Sequence, residues 1–351
     1  MISPPRPVRV GIVGSGGMAE YHVKKFAALP GVAVTACCDR LADRARGFAQ
    51  RLGIPRWFAS AAEMAGSGEI DCMAEAVADE GRTAAALAAL ERRIPLFAEK
   101  PLGRSLAEAQ ALLAAARAAG VPAMVNFSKR NVPALALAHR LVAEGTIGAV
   151  RGGSFSYLQS WLLQDAWGRW DQTPRWRWRV SPGISTEGII GDLASHLFDA
   201  VRFVLGELGA VSCVATTFTA DPAEDGQPGA PDTCSALLQT TAGAVVTTRA
   251  SWRAAGCLDC FAFQVEGDSG TLAADFSSSR TVLRHFDCGT GSWSEIAAGV
   301  CPSTYELFIG SARSGRTVSP SFEDGVAVQR VIEACVRSHR ESRLVSLNRQ
   351  E

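Results

Sequence analysis

Ala98-Glu99-Lys100-Pro101 sets a lysine just past a short apolar run, in a chain with four lysines among 35 basic residues. A casual cation at this place would more often be arginine. Lysine presents a compact ammonium to a developing alkoxide and loses its proton when desolvated, whereas arginine stays charged. Alone, the position reads equally well as a surface lysine before a proline turn. A second segment, Gly191-Asp192-Leu193-Ala194-Ser195-His196-Leu197-Phe198-Asp199, sets Asp192, His196 and Asp199 at i, i+4 and i+7 of a helix. Leu193, Leu197 and Ala200 then fall on the opposite, apolar face. A carboxylate one turn from an imidazole orients it and raises its basicity, which suits a general base working near neutral pH. The plainer reading is a helix-capping aspartate beside a partly buried, hydrogen-bonded histidine.

A third element lies near the N-terminus, where Val10-Gly11-Ile12-Val13-Gly14-Ser15-Gly16-Gly17-Met18-Ala19 contains G-x-G-x-x-A. Gly14 permits a tight turn, and Gly16 lets a pyrophosphate approach the backbone. The small Ala19 lets helix lie close on strand. The N–H groups of Gly17 and Met18 then open a helix whose N-terminus favours an anion. Asp39 ends the next apolar run, where its carboxylate accepts hydrogen bonds from ribose hydroxyls and repels a 2′-phosphate. This predicts NAD as cofactor. Arg40 beside it, able to stack on adenine or hold a 2′-phosphate, keeps NADP as the alternative.

These residues need a scaffold. Val8–Val13 and Val32–Cys38 read as buried strands, with helices over 17–29 and 41–52. Further strands are expected over 70–77, 94–98 and 122–127, separated by Ala-rich helices over 83–92 and 106–119. Strands alternating with helices predict parallel pairing through right-handed crossovers, hence a doubly wound sheet of the Rossmann type over residues 1–127. Beyond a helix over 133–144 the pattern changes to strand-like runs at 150–158, 210–219, 234–239, 244–251, 260–266 and 281–286. A helix follows over 322–338. Residues 128–351 therefore read as a second, α+β domain with a mostly antiparallel sheet.

Composition excludes several classes. The chain has 351 residues, 47% of them apolar, and a formal net charge of zero, which argues against nucleic-acid or anionic-membrane partners. No apolar run reaches the 18 or so residues of a membrane span, and the proline-rich start lacks the apolar core of a secretion signal. The ten cysteines show one CxxC, Cys257 and Cys260, without a second pair, so no metal site is expected and reduced thiols in the cytoplasm are. Trp161–Arg179 holds five tryptophans and four arginines. It suits stacking on sugar faces and binding of hydroxyls or anions, and equally a structural cap or oligomer contact.

The glycine loop, Glu99-Lys100-Pro101 and the Gly191-Asp192…His196 segment, in that order, resemble the Gfo/Idh/MocA family of sugar and cyclitol oxidoreductases over nearly the whole chain. Gly145-Thr146-Ile147-Gly148 and Glu266-Gly267-Asp268-Ser269-Gly270-Thr271-Leu272 add to the likeness. The resemblance implies that Lys100, Asp192 and His196 form the catalytic set and that the nicotinamide lies near Glu99 and Lys100. It also implies a large open sheet in the second domain that serves homodimers or homotetramers. The expected substrate is a carbohydrate-like small molecule: a sugar, a glycoside such as an aminoglycoside, or a cyclitol. An NAD-dependent glycosidase working by transient oxidation and a non-catalytic dinucleotide sensor are the competing readings. Two departures stand out. The family often has Thr-Pro after the fourth strand and a histidine four residues on, where this chain has Val77, Ala78 and Arg82. Its glycine cluster before the aspartate is reduced here to Thr186-Glu187-Gly188.

Overall fold

A computed structural model describes residues 6–77, 79–182, 187–220, 227–276 and 282–347. Ala78, Thr186 and Thr281, on which parts of the sequence reading fall, lie outside them. The chain forms two compact units. The first runs to Phe127 and also takes in Pro302–Gln329; the second is Ser128–Cys301 with the chain from Arg330 onward.

The first unit follows the alternation that the sequence announces: β1 (Val8–Val13), α1 (Gly17–Ala27), β2 (Val32–Cys38), α2 (Ala42–Leu52), β3 (Arg56–Phe58), α3 (Ala61–Gly66), β4 (Cys72–Glu75), α4 (Asp79–Leu90), β5 (Leu96–Ala98), α5 (Leu106–Ala119) and β6 (Ala123–Val125). All six strands are parallel, in the order β3-β2-β1-β4-β5-β6. The order reverses between β1 and β4, which opens a crevice beyond the C-terminal ends of the strands. β3 and α3 were not expected. β3 is a three-residue edge strand with Arg56 and Trp57 exposed, so no buried apolar run marks it.

The second unit holds α6 (Pro133–Ala143), β7 (Val150–Leu158), the short α7 (Pro174–Arg177), α8 (Ser195–Leu205), and strands β8 (Leu208–Thr216), β9 (Thr233–Thr240), β10 (Val245–Ser251), β11 (Cys260–Gly267), β12 (Gly270–Asp275), β13 (Val282–Asp287) and β14 (Ser292–Ala297). After α9 (Thr304–Ser314) and α10 (Phe322–Glu341) the chain closes with β15 (Val345–Ser346). The nine strands run β14-β13-β12-β11-β7-β10-β9-β8-β15, and only the β7–β10 pair is parallel. Strict alternation puts Cys213, Ala236, Thr248, Phe155 and Phe263 on a buried face, against which α6 packs at β12 and β13 and α8 at β7. The other face carries exposed Val214, Leu237 and Val245. β14 is exposed on both faces, which removes the alternation that would have revealed it.

α9 explains the return of Pro302–Gln329 to the first unit, where the sequence reading has a single break after residue 127. Its Tyr305 and Phe308 enter the core of the parallel sheet. Ring centroids lie 5.0 Å apart for Phe26–Tyr305 and 5.2 Å apart for Phe97–Phe308. Ser303 caps the helix, exchanging hydrogen bonds with Glu306 in a capping box. An amphipathic helix with two aromatics on one face has to bury them, and the first unit's core receives them.

Candidate active site

The glycine loop joins β1 to α1. Gly14 sits at φ +100°, and a Cβ there would meet the Ala76 carbonyl at 2.7 Å, so no other residue fits without strain. Around Gly16 nothing lies within 4 Å of where a Cβ would stand, so the backbone is open to close approach. Ser60 and Ser105 cap α3 and α5 with their side chains, whereas α1 starts at Gly16 with no side-chain cap. Gly17 and Met18 form its first turn, with Met18 exposed. Ser15 donates its hydroxyl to Asp39 at 2.6 Å, and Asp39 also accepts the Leu41 N–H at 3.0 Å. Asp39 is thus fixed at the end of β2 beside the loop, with Arg40 exposed next to it. An open helix N-terminus for a pyrophosphate and a fixed carboxylate for a ribose fit a dinucleotide.

Lys100 follows β5 in the same unit, and the Lys100–Pro101 peptide is cis. The Glu99 carboxylate turns inward. It accepts the Asn126 amide N–H at 2.7 Å and lies 3.2 Å from His22 Nε2. Tyr305 OH meets the other nitrogen of His22 at 3.0 Å, and Thr304 donates to Asn126 at 2.9 Å. Burial alone would push the Glu99 carboxyl up; the bond and charge of His22, the Asn126 amide and the charge of Lys100 outweigh it and hold it down at about 2. Glu99 is therefore a buried anion that fixes the backbone under Lys100, whose N–H it accepts at 3.3 Å.

In the second unit the segment that carries Asp192 and His196 opens as a π-helical turn, Ile190–Ala194, and continues as α8. Gly188 leads into it at φ +54°, so close to the Pro231 carbonyl that a Cβ would stand 2.5 Å from the oxygen. The wider turn departs from the regular α spacing assumed from sequence, and such turns recur at functional sites. Asp192 Oδ2 accepts the indole N–H of Trp252 at 3.2 Å and lies 3.8 Å from Arg179 Nε. His196 is buried, with its ring edge-on to Tyr157 at 6.0 Å. Asp199 is fully engaged elsewhere, accepting Arg130 Nε at 2.8 Å in a buried ion pair.

Tyr157 also carries a small polar cluster. Its hydroxyl donates to Asp259 at 2.5 Å, Gln159 reaches Asp259 at 3.1 Å, and Lys129 pairs with Asp259 at 3.3 Å. The Lys129 ammonium sits 4.1 Å over the Tyr157 ring. The tryptophan-rich segment folds on itself. Trp161 contacts Trp252 at 5.2 Å and Trp176 at 5.8 Å, and Trp167 stacks on Trp176 at 5.9 Å. Arg179 lies over Trp176 and Trp178, so the cluster ends against Asp192 through Trp252 and Arg179.

Two family models match successive parts of the chain. Residues 8–127 match the oxidoreductase family with an NAD-binding Rossmann fold, and residues 135–273 match the GFO/IDH/MocA C-terminal domain. The chain belongs to the Gfo/Idh/MocA family. As a member it is an NAD-binding oxidoreductase. The levoglucosan dehydrogenase of Pseudarthrobacter phenanthrenivorans is 26% identical over 94% of this chain and 96% of its own. The inositol 2-dehydrogenase of Rhizobium meliloti is 26% identical over 97% of this chain and 99% of its own. The structure of a levoglucosan dehydrogenase in complex with NADH shares the fold, with a TM-score of 0.88 at 23% identity over 98% of this chain and 100% of that one.

Some residues around the Gfo/Idh/MocA motifs escaped the sequence reading. Trp252, Tyr157 and Asp259 gave no local signal, because their roles depend on register between strands. Glu75 did give one: an acid at the end of the apolar run Cys72-Met73-Ala74 is costly to bury and needs a reason. No helix among the described residues is long and apolar enough to cross a membrane.

Proposed function

We propose that this Gfo/Idh/MocA enzyme moves hydride between NAD(H) and a secondary alcohol or ketone of a sugar, glycoside or cyclitol, with Lys100, Asp192 and His196 serving the reaction. The observation that carries it is the buried imidazole of His196 one turn after an Asp192 that is itself anchored by Trp252. The relatives' names, levoglucosan and inositol 2-dehydrogenase, support the substrate class.

Gly14, Gly16, Gly17, Met18 and Asp39 would hold the dinucleotide. When bound, NAD supplies the carbon that accepts hydride. His196 takes the hydroxyl proton, and the negative charge of Asp192 favours the imidazolium that results. The Lys100 ammonium stabilises the oxygen as negative charge develops on it. The tryptophan cluster offers faces for sugar C–H groups, and Arg179 a donor for hydroxyls, beside Asp192.

We also read the enzyme as a cytoplasmic homodimer or homotetramer. Ten free thiols suit a reducing compartment, and the exposed Val214, Leu237 and Val245 row suits a second copy.

The test is NADH formation from NAD or NADP across levoglucosan, D-apiose, inositols, free sugars, sugar phosphates and aminoglycosides, with Lys100→Ala and His196→Ala alongside. Turnover that falls about 10²–10⁴-fold in His196→Ala while NAD still binds supports the reading. Normal turnover in Lys100→Ala overturns the role given to the lysine. Sugar release without net NADH would move the chemistry to a glycosidase cycle.

A further inference from the structure

Glu75 ends β4 completely buried, and Arg82 on α4 is buried as well. Glu75 Oε1 lies 3.1 Å from Arg82 Nε and accepts the Glu99 N–H at 2.9 Å. Its Oε2 accepts the Val77 N–H at 3.4 Å. Arg82 in turn donates Nη1 to the carbonyl of Pro101 and Nη2 to the Val77 carbonyl at 3.4 Å. One ion pair therefore holds the amide on the N-terminal side of Lys100 and the carbonyl on its C-terminal side. The backbone on either side of Lys100 is thereby held, at Glu99 and at Pro101, by buried side chains.

Stability alone does not account for such a pair. Apolar residues of similar volume usually fill a buried site at no loss, while removing one charge leaves the other stranded. The two side chains instead give something apolar residues cannot: directed bonds to two backbone groups flanking one residue. Lysine would not substitute for Arg82, because only the guanidinium fork serves a carboxylate and a carbonyl together.

We propose that Arg82, held by Glu75, is a positioning residue that sets the direction of the Lys100 side chain. This rests on Lys100 being the residue that meets the reacting oxygen. A misplacement of ~1 Å at a reacting group costs up to about 10²-fold in rate.

The test uses the full-length enzyme and compares Arg82→Lys, Arg82→Met, Glu75→Gln and the double variant Glu75→Gln/Arg82→Met, with Lys100→Met as reference. Turnover is measured with NAD and whichever of levoglucosan or myo-inositol is oxidised. In parallel, ¹³C-lysine labelling follows the four native lysines by NMR, Lys100 being assigned from its loss in Lys100→Met and the one additional signal of Arg82→Lys being set aside as that of position 82. The expected result is a kcat lowered about 10²-fold in Arg82→Met and about tenfold in Arg82→Lys, with KM for NAD nearly unchanged. The Lys100 signal moves in both, while those of Lys24, Lys25 and Lys129 stay. The double variant is no worse than Arg82→Met, since the two residues act as one unit.

If Arg82→Met does not fold, Arg82→Lys carries the same comparison. Folded variants with wild-type kcat and an unmoved Lys100 signal overturn the proposal. So does a loss of rate that follows the fraction unfolded and vanishes on cooling. If Lys100→Met keeps full turnover, the role of Lys100 fails and the proposal with it. If Lys100→Met is inactive while the Arg82 variants match wild type, the proposal fails alone.

Discussion

Trp252 donates its indole N–H to the carboxylate of Asp192 at 3.2 Å, from a position with no exposed surface. This bond ties the turn that precedes His196 to the end of β10. Arg179 approaches the same oxygen, so a donor and a cation together determine where the carboxylate points. A charged acceptor makes such a bond worth more than a neutral one, about 1.5–3 kcal/mol.

Trp252→Phe keeps most of the ring and removes the N–H. We expect kcat/KM to fall about tenfold or more, with a smaller effect on affinity for NAD. Steady-state kinetics and a thermal melt check this together. Unchanged kcat/KM in a folded variant would mean that Asp192 needs no anchor.

The second prediction concerns the cofactor. Asp39 is fixed by Ser15 beside the glycine loop, where its charge opposes a 2′-phosphate. Asp39→Ala is expected to raise KM for NAD and lower KM for NADP, each about tenfold, with Arg40 next to the site available to the phosphate. Initial rates with both cofactors measure the ratio. An unaltered preference would show that selectivity is set elsewhere.

Glu99 predicts an acid-sensitive fold. Its carboxyl is held at about 2, below the ordinary 4.5, so the folded state binds its proton more weakly than the unfolded chain does. The stabilisation is complete above the unfolded value of 4.5 and is lost as pH falls from there through about 2. Thermal melts of wild type and Glu99→Gln between these limits should show a steep fall in wild type and a flatter curve in the variant. Parallel curves would rule out this carboxylate as a source of the acid sensitivity.

Phe308 is fully buried against Phe97 and Phe26. Phe308→Ala should cost about 3–5 kcal/mol, the range for emptying an aromatic site in a core. Urea unfolding gives the value. A loss below ~1 kcal/mol would mean that α9 is not part of the first unit's core.

Much of this protein is written in short stretches of its sequence. The glycine loop, the aspartate after β2 and the strand–helix alternation depend on rules that act over a few residues: the φ freedom of glycine, the helix N-terminus, and apolar periodicity. Lys100 and the Asp192–His196 pair stand out only through the resemblance to the family, since locally each also reads as an ordinary surface or capping residue, and the π-helical turn at Ile190–Ala194 departs from the α spacing. The return of α9 to the first unit, the inward turn of Glu99, the Glu75–Arg82 clamp and the Trp252 anchor are not legible in any short stretch. Each joins residues that only a completed sheet brings together, as His22 and Tyr305 meet across 283 positions. Which polar partner a buried group finds is decided by strand register and by the cost of leaving it without one, and both exist only once the chain has closed its core.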